Sequence, residues 1–354
     1  MNFLKIETLL PLGKLDPGLR SAKERITARD FFDQARLVEE LGYDAIAVTE
    51  TKLDPFVQLA IVSEATERIE LHSAVAIAFA RSPTVMAQAA WTLQDLSRGR
   101  FNLGLGTQVR AHMERRFGVP WRPPGPWLHD YVLAMREVWK SWQEGRQPKY
   151  EGAVYSISLM VPLFDPGPLD IPKIPVTIAA VKPVLCRVAG EVANGLRPHP
   201  ICTPNYIKEV MKPAVLEGTR SSSRSVDDVE IMVSPLVATA QNEESLVART
   251  EEVRARVAFY ASTPAYRPVF DLHGMTDLAI ELAQLSRAQR WSEMPRLIND
   301  DVLRTYACVG TYREIADIVK SRYRELVSST EFSIPVRSAR DKETLGVLLA
   351  DLRN

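Results

Sequence analysis

The sequence predicts an α/β fold, a single (β/α)8 barrel of the TIM type with insertions after the fourth and seventh strands. Three observations carry that expectation. Short apolar runs alternate with helix-period stretches along most of the 354 residues. The junctions repeat one syntax, a capping side chain followed by proline at the first helical position, as in Asp54-Pro55, Ser82-Pro83 and Thr203-Pro204. Eight strand-plus-helix units can be counted, and such alternation demands a parallel sheet covered by helices, with eight units favouring a closed ring. Gly104-x-Gly106 has the start of a dinucleotide-binding fingerprint, but Val109 stands where the third glycine belongs and three βα units already precede it.

In order, residues 3–10 alternate loosely up to Pro11 and form the first strand, leading to a loop with Asp16-Pro17-Gly18. Phe31, Ala35, Val38 and Leu41 form one stripe of a helix ended by Gly42. Residues 44–49 make the second strand and run into Glu50-Thr51-Lys52, before a helix with Val57, Ile61 and Ala65 inward. Residues 69–79 make the third, and Met86, Ala90 and Leu93 mark the helix after it. The fourth, 101–105, is apolar and ends in two glycines, then Thr107 and Gln108, as expected of a buried strand opening onto something polar.

A long connection with three prolines and Trp121 follows, then a helix over 127–142. Loops of that length are uncommon unless functional. Residues 144–174 hold five prolines and read as an excursion within one domain spanning 1–354. Strands five to seven are expected at 176–180, 193–196 and 229–238, with a helix after Lys182-Pro183 that lacks a good capping side chain. A second insertion, 241–300, is helical by pattern. Thr311-x-x-Glu314 is a capping box before Ile315, and residues 332–336 complete the count of strands.

Composition narrows the function classes. Lysine plus arginine and aspartate plus glutamate both number 44, so no net field gathers nucleic acid or an anionic membrane. The three cysteines are far apart, the five histidines scattered, and no metal-ligand spacing occurs, so no metal is expected. The longest apolar run, 74–80, is far short of a membrane span, and Lys5 and Glu7 interrupt the N-terminus, so a cytoplasmic protein without a secretory signal is expected.

In a parallel barrel every strand delivers its C-terminal end to one rim. The rim residues then include Glu50 and Lys52, the segment from Ala74 through Val75 to Phe79, Thr107, Gln108 and His112, Val181 and Lys182, and Arg197 and His199. Most are small, amide or hydroxyl groups, without a carboxylate pair or a Ser-His-Asp order for hydrolysis. Such a rim suits holding a ring system, with Lys182 and the N-terminus of the helix from Pro183 placed for a phosphate. Glu50 offers a carboxylate for proton handling or for a salt bridge to a nearby Lys or Arg. Arg115 and Arg116 read as structural clamps. His199 offers a substrate contact or the end of a turn, and His72 a satisfied core group.

The motifs Leu10-Pro11-Leu12-Gly13-Lys14-Leu15-Asp16-Pro17-Gly18, Glu50-Thr51-Lys52, Arg81-Ser82-Pro83, Leu96-Ser97-Arg98-Gly99-Arg100-Phe101-x-Leu103-Gly104-Leu105-Gly106-Thr107-Gln108, Glu114-Arg115-Arg116-Phe117-Gly118-Val119-Pro120-Trp121 and Val309-Gly310-Thr311 resemble the bacterial-luciferase-like barrel family, in its branch of F420-dependent oxidoreductases. The resemblance implies hydride transfer between the deazaflavin F420 and a small organic substrate. It implies a cofactor site at Ala74, Val75, Gly106, Thr107, Gln108, Val181 and Lys182, with a non-prolyl cis peptide near Ala74-Val75. Many relatives carry histidine after the acidic residue that ends the second strand. Here that position is Thr51, which makes Glu50, His112 and Glu114 the catalytic candidates and His199 and Trp121 the substrate contacts. Gln108 stands in place of a common glycine. An FMN-dependent monooxygenase using O2 with a separate reductase, and a non-catalytic flavin-binding barrel, are the alternatives. A homodimer is the expected assembly.

Overall fold

A computed structural model describes residues 4–13 and 27–354; Lys14 to Gly18 of the predicted first loop lie outside them. Eight parallel strands close a ring: β1 (Lys5–Leu9), β2 (Ala45–Val48), β3 (Glu70–Ser73, resumed at Ala76–Ile77), β4 (Phe101–Gly106), β5 (Val176–Ala180), β6 (Gly195–Pro198), β7 (Glu230–Val233) and β8 (Ser329–Glu331). Each pairs with its sequence neighbour, and β8 closes on β1 through Lys5 opposite Ser329 and Glu7 opposite Glu331.

The two faces of these strands differ sharply. Glu7 on β1, His72 on β3 and Arg197 on β6 touch one another although their strands are not adjacent, so all three point into the ring. Since side chains alternate along a strand, Ile6, Ile46, Leu71, Leu103, Leu105, Val176, Ile178 and Leu196 point outward, where they are buried beneath the helices. The inner face carries glycines, small residues and charged groups in place of the branched apolar residues that usually fill such barrels.

The helices start as their sequences dictate. The Asp54 carboxylate accepts from the Phe56 and Val57 N–H groups at 2.9 and 3.2 Å, and Ser82 and Thr203 cap in the same way. The first insertion includes a short hairpin, Tyr150–Glu151 against Ser156–Ile157. It is pinned to the helix Pro124–Glu144 by Asp130, which accepts from the Tyr150 hydroxyl and from the N–H groups of Ala153, Val154 and Tyr155. The second insertion contains the helices Glu243–Ala261, Arg267–Leu272, Thr276–Arg287 and Asp300–Tyr306.

Three strand expectations are corrected. The third strand breaks at a cis peptide between Ala74 and Val75. The segment expected as one seventh strand is two, β7 and Leu236–Ala240, and the second pairs outside the ring with Ala307–Thr311, a strand not anticipated. The eighth is Ser329–Glu331, immediately before the apolar run 332–336 expected to form it. Phe332 and Ile334 are buried, but the residues that pair are Ser329, Thr330 and Glu331, of which Ser329 and Glu331 face the polar inside of this ring.

Candidate functional site

Four of the predicted rim segments belong to neighbouring strands. Ile77 pairs with Gly106, Leu105 with Ile178 and Ala180 with Pro198, so the ends of β3, β4, β5 and β6 are successive neighbours. That order brings Ala74-Val75, Gly106-Thr107-Gln108, Val181-Lys182 and His199 to one arc of the barrel. Glu50 after β2 joins it directly, its carboxylate accepting from the Ile77 N–H at 2.7 Å.

The glycines of β4 make room for the neighbouring strand. A side-chain carbon on Gly104 would lie 1.9 Å from the Ser73 carbonyl oxygen, and one on Gly106 would lie 2.5 Å from Val75 Cγ2. The strand therefore admits the β3 break and Val75 beside it. Beyond it, Gln108 takes the left-handed conformation with φ of 56°, which glycine enters more easily than other residues, and its own side chain accepts from the Val109 N–H at 2.9 Å. Thr107 is half-buried. On the other side of β4's end, Lys182 is exposed as the residue before the helix Pro183–Val192, whose N-terminus has no side-chain cap.

Glu50 forms the salt bridge that was one of its two readings. Arg81 donates to it at 2.9 Å and to Asp54 at 2.7 Å, tying the loops after β2 and β3 together. His112 is exposed on a short helix, Arg110–Arg116, within the connection expected to be loop. Glu114 on the same helix pairs with Arg110 at 3.0 Å, and the Arg110 guanidinium lies 5.3 Å over the half-exposed Trp121 ring. Arg116 donates to the Thr51 carbonyl, so this outer loop is clamped onto the one after β2.

His199 is enclosed by rings, stacked on Tyr266 with centroids 4.1 Å apart and edge-on to Tyr260 at 4.6 Å. Burial pushes its pKa down to about 3, so the imidazole is neutral. Nδ1 accepts from the Ile201 N–H at 3.3 Å, which leaves the proton on Nε2. Tyr260 and Tyr266 were not singled out from sequence; their only signal is aromatic content in the second insertion.

The sequence offered His72 as a satisfied core group, which it is, and Arg197 as a rim residue, but not their pairing with Glu7 in a charged column inside the ring. Arg197 grips Glu7 with both terminal nitrogens, the longer bond being 3.0 Å. His72 faces Glu7 through Nδ1 at 3.1 Å and Glu70 through Nε2 at 3.2 Å, and Lys5 reaches Glu70 at 3.1 Å. Burial alone would raise the Glu7 pKa, but the Arg197 charge and the His72 bond hold it well below the usual carboxylate range. Burial likewise opposes the charged form of His72, yet its two carboxylate partners win and raise its pKa.

Fold and rim together define a parallel barrel whose strand ends meet at one C-terminal mouth. The family model for luciferase-like monooxygenases matches residues 11–330, and the chain belongs to that family. It is 38% identical over 91% of its length to an uncharacterized protein of Mycobacterium tuberculosis, covering 94% of that protein. It is 29% identical over 78% of its length to an F420-dependent glucose-6-phosphate dehydrogenase of Intrasporangium calvum, covering 84% of it. Among solved structures, the coenzyme F420 dependent tetrahydromethanopterin reductase from Methanopyrus kandleri superposes with a TM-score of 0.73 at 19% identity, covering 98% of this chain and 97% of that one. An EDTA monooxygenase from Chelativorans sp. BNC1 gives 0.73 at 15%, covering 99% and 92%. No described helix is long and apolar enough to cross a membrane.

Proposed function

We propose that this chain is an oxidoreductase that transfers hydride between the deazaflavin F420 and a small organic substrate. One observation carries the reading: Ala74-Val75 interrupt β3, Gly106-Thr107-Gln108 and Val181-Lys182 end β4 and β5, and these three strands pair side by side, so the segments share one arc of the barrel. The donor set suits the group. Ala74 and Val75 offer a small apolar seat, Thr107 and Gln108 polar atoms at its edge, and Lys182 with the uncapped helix N-terminus a place for a phosphate tail. F420-dependent dehydrogenases among the relatives favour the deazaflavin over FMN.

When bound, the coenzyme supplies the hydride chemistry, and the protein supplies orientation and water exclusion. Glu50 acts here by positioning, fixing the Ile77 N–H and Arg81 beside the β3 break. His199 with its tyrosine partners walls the substrate side and presents a neutral N–H. His112, Glu114 and Trp121 sit on the outer loop, where a substrate covering the mouth would meet them.

Titration of the purified protein with F420 and with FMN, followed by absorbance and fluorescence, tests the reading. F420 is expected to bind and FMN to bind far more weakly, with Lys182→Ala weakening F420 about tenfold, roughly the 1.4 kcal/mol of one charge-assisted contact. Preferential FMN binding would establish the monooxygenase alternative. F420 binding without turnover by any of a panel of alcohols, aldehydes and enones would establish the non-catalytic one.

A further inference from the structure

The mechanism above leaves unused one half-buried acid at the end of β8. Glu331 is the last residue of β8 and stands in register with Glu7 on β1. In-register residues of paired parallel strands point to the same side of the sheet and lie roughly 5 Å apart, so the Glu331 side chain enters the ring beside Glu7. Glu7 is committed: Arg197 and His72 take both of its oxygens and fix its negative charge. Glu331 has no such partner. Among the described residues no cation lies within ion-pair distance of its carboxyl, and its one side-chain hydrogen bond is from the Ser333 hydroxyl at 3.4 Å, two residues further toward the rim.

We propose that Glu331 is a ligand-binding acid of the site, a neutral carboxylic acid at the end of β8 that donates its proton in a hydrogen bond to an acceptor atom of the ring seated in the mouth. The proposal rests on the function proposed above, because it needs a flat heterocycle bearing carbonyl or imine acceptors. Two adjacent carboxyls cannot both ionise cheaply, and the one with the arginine keeps the charge. The groups that face Glu331 divide between the two forms. Glu7 repels the charged form, Arg197 favours it only weakly because it is paired with Glu7, and Tyr43, from the turn before β2, is a phenol that burial keeps protonated and that donates to the Phe332 carbonyl at 2.9 Å. Arg256, on the helix Glu243–Ala261, and Ser333 favour the carboxylate, but less than burial and Glu7 oppose it. The balance lifts the Glu331 pKa to about 7, with burial the largest cause.

Two measurements decide it. In protein labelled with 13C at glutamate carboxyls, one resonance is expected to titrate between pH 6 and 8 and to vanish in Glu331→Gln. The F420 dissociation constant is then followed from pH 5.5 to 8.5 in both proteins, which cancels the ionisation of the coenzyme itself. Gln keeps an N–H donor at every pH, so wild type is expected to lose about tenfold in affinity relative to the variant as Glu331 ionises. Dissociation constants that track each other across the range would overturn the proposal, as would a Glu331 carboxyl already ionised at pH 6. Failure of wild type itself to bind F420 or FMN refutes the function instead. A variant-specific failure refutes only the role of Glu331. If FMN proves to be the ligand, the same comparison is made with FMN.

Discussion

The outer and inner faces of the same eight strands obey different rules. Outward, Ile46, Leu71, Leu103, Val176 and Ile178 bury apolar area beneath helices, and the energy is additive, non-directional and indifferent to pH. Inward, Glu7, His72 and Arg197 are equally buried, but each is stable only because a partner from a distant strand meets it at hydrogen-bond distance. The outer face holds the ring together. The inner face sets which protons and charges lie beneath the mouth.

The largest separation of the two faces comes from removing one member of the inner pair. Arg197→Met leaves the Glu7 carboxylate buried without its cation, and the expected loss is about 3–5 kcal/mol in urea unfolding. Adding Glu7→Leu removes the stranded charge, and the double variant is expected to regain at least half of that loss. If the single and double variants are equally unstable, the pair owes its stability to shape alone. On the outer face, Leu103→Ala is expected to cost about 2–4 kcal/mol, the usual range for a fully buried leucine, and to cost the same at pH 5 and pH 8. A pH-dependent loss at Leu103 would show that the faces are coupled.

The contrast also explains what could be read from the chain. Binary pattern and capping chemistry specify the outer face locally, so the barrel, seven of its eight strands in approximate place, and caps such as Asp54 and Ser82 were legible. The shared arc of rim residues followed from the parallel topology. The inner face is written in pairings between residues 65 and 190 positions apart, Glu7 with His72 and with Arg197, which no local window reveals. The same cause displaced the eighth strand. Searching for apolar residues selects Phe332 and Ile334, whereas the paired segment is Ser329–Glu331, whose Ser329 and Glu331 face that interior. The split of the seventh strand went unseen because Leu236–Ala240 is as apolar as β7 and only its partner, Ala307–Thr311, distinguishes it.

The smallest expected effect gives the sharpest contrast between the faces, because it is a slope with pH. Glu331 has a pKa raised from 4.5 to about 7 in the folded chain, through burial first and the Glu7 charge second. Its protonated form is therefore favoured by folding. Below about pH 4.5 both folded and unfolded chains hold the proton, and this stability is fully present. As pH rises toward 7 the unfolded chain has already released its proton, so stability falls, and above 7 it levels off at a loss on the order of 3 kcal/mol. His72, with a raised pKa, adds to the decline at the upper end, while Glu7, with a lowered one, loses its contribution only as pH drops below about 4.5. Glu331→Gln removes the first of these terms and leaves the other two. Urea midpoints measured at half-unit steps should therefore fall less steeply between pH 5 and 7 in the variant, with the m-value unchanged. Parallel curves would mean that Glu331 carries a charge in the folded ring and that its neighbour's arginine serves both carboxylates.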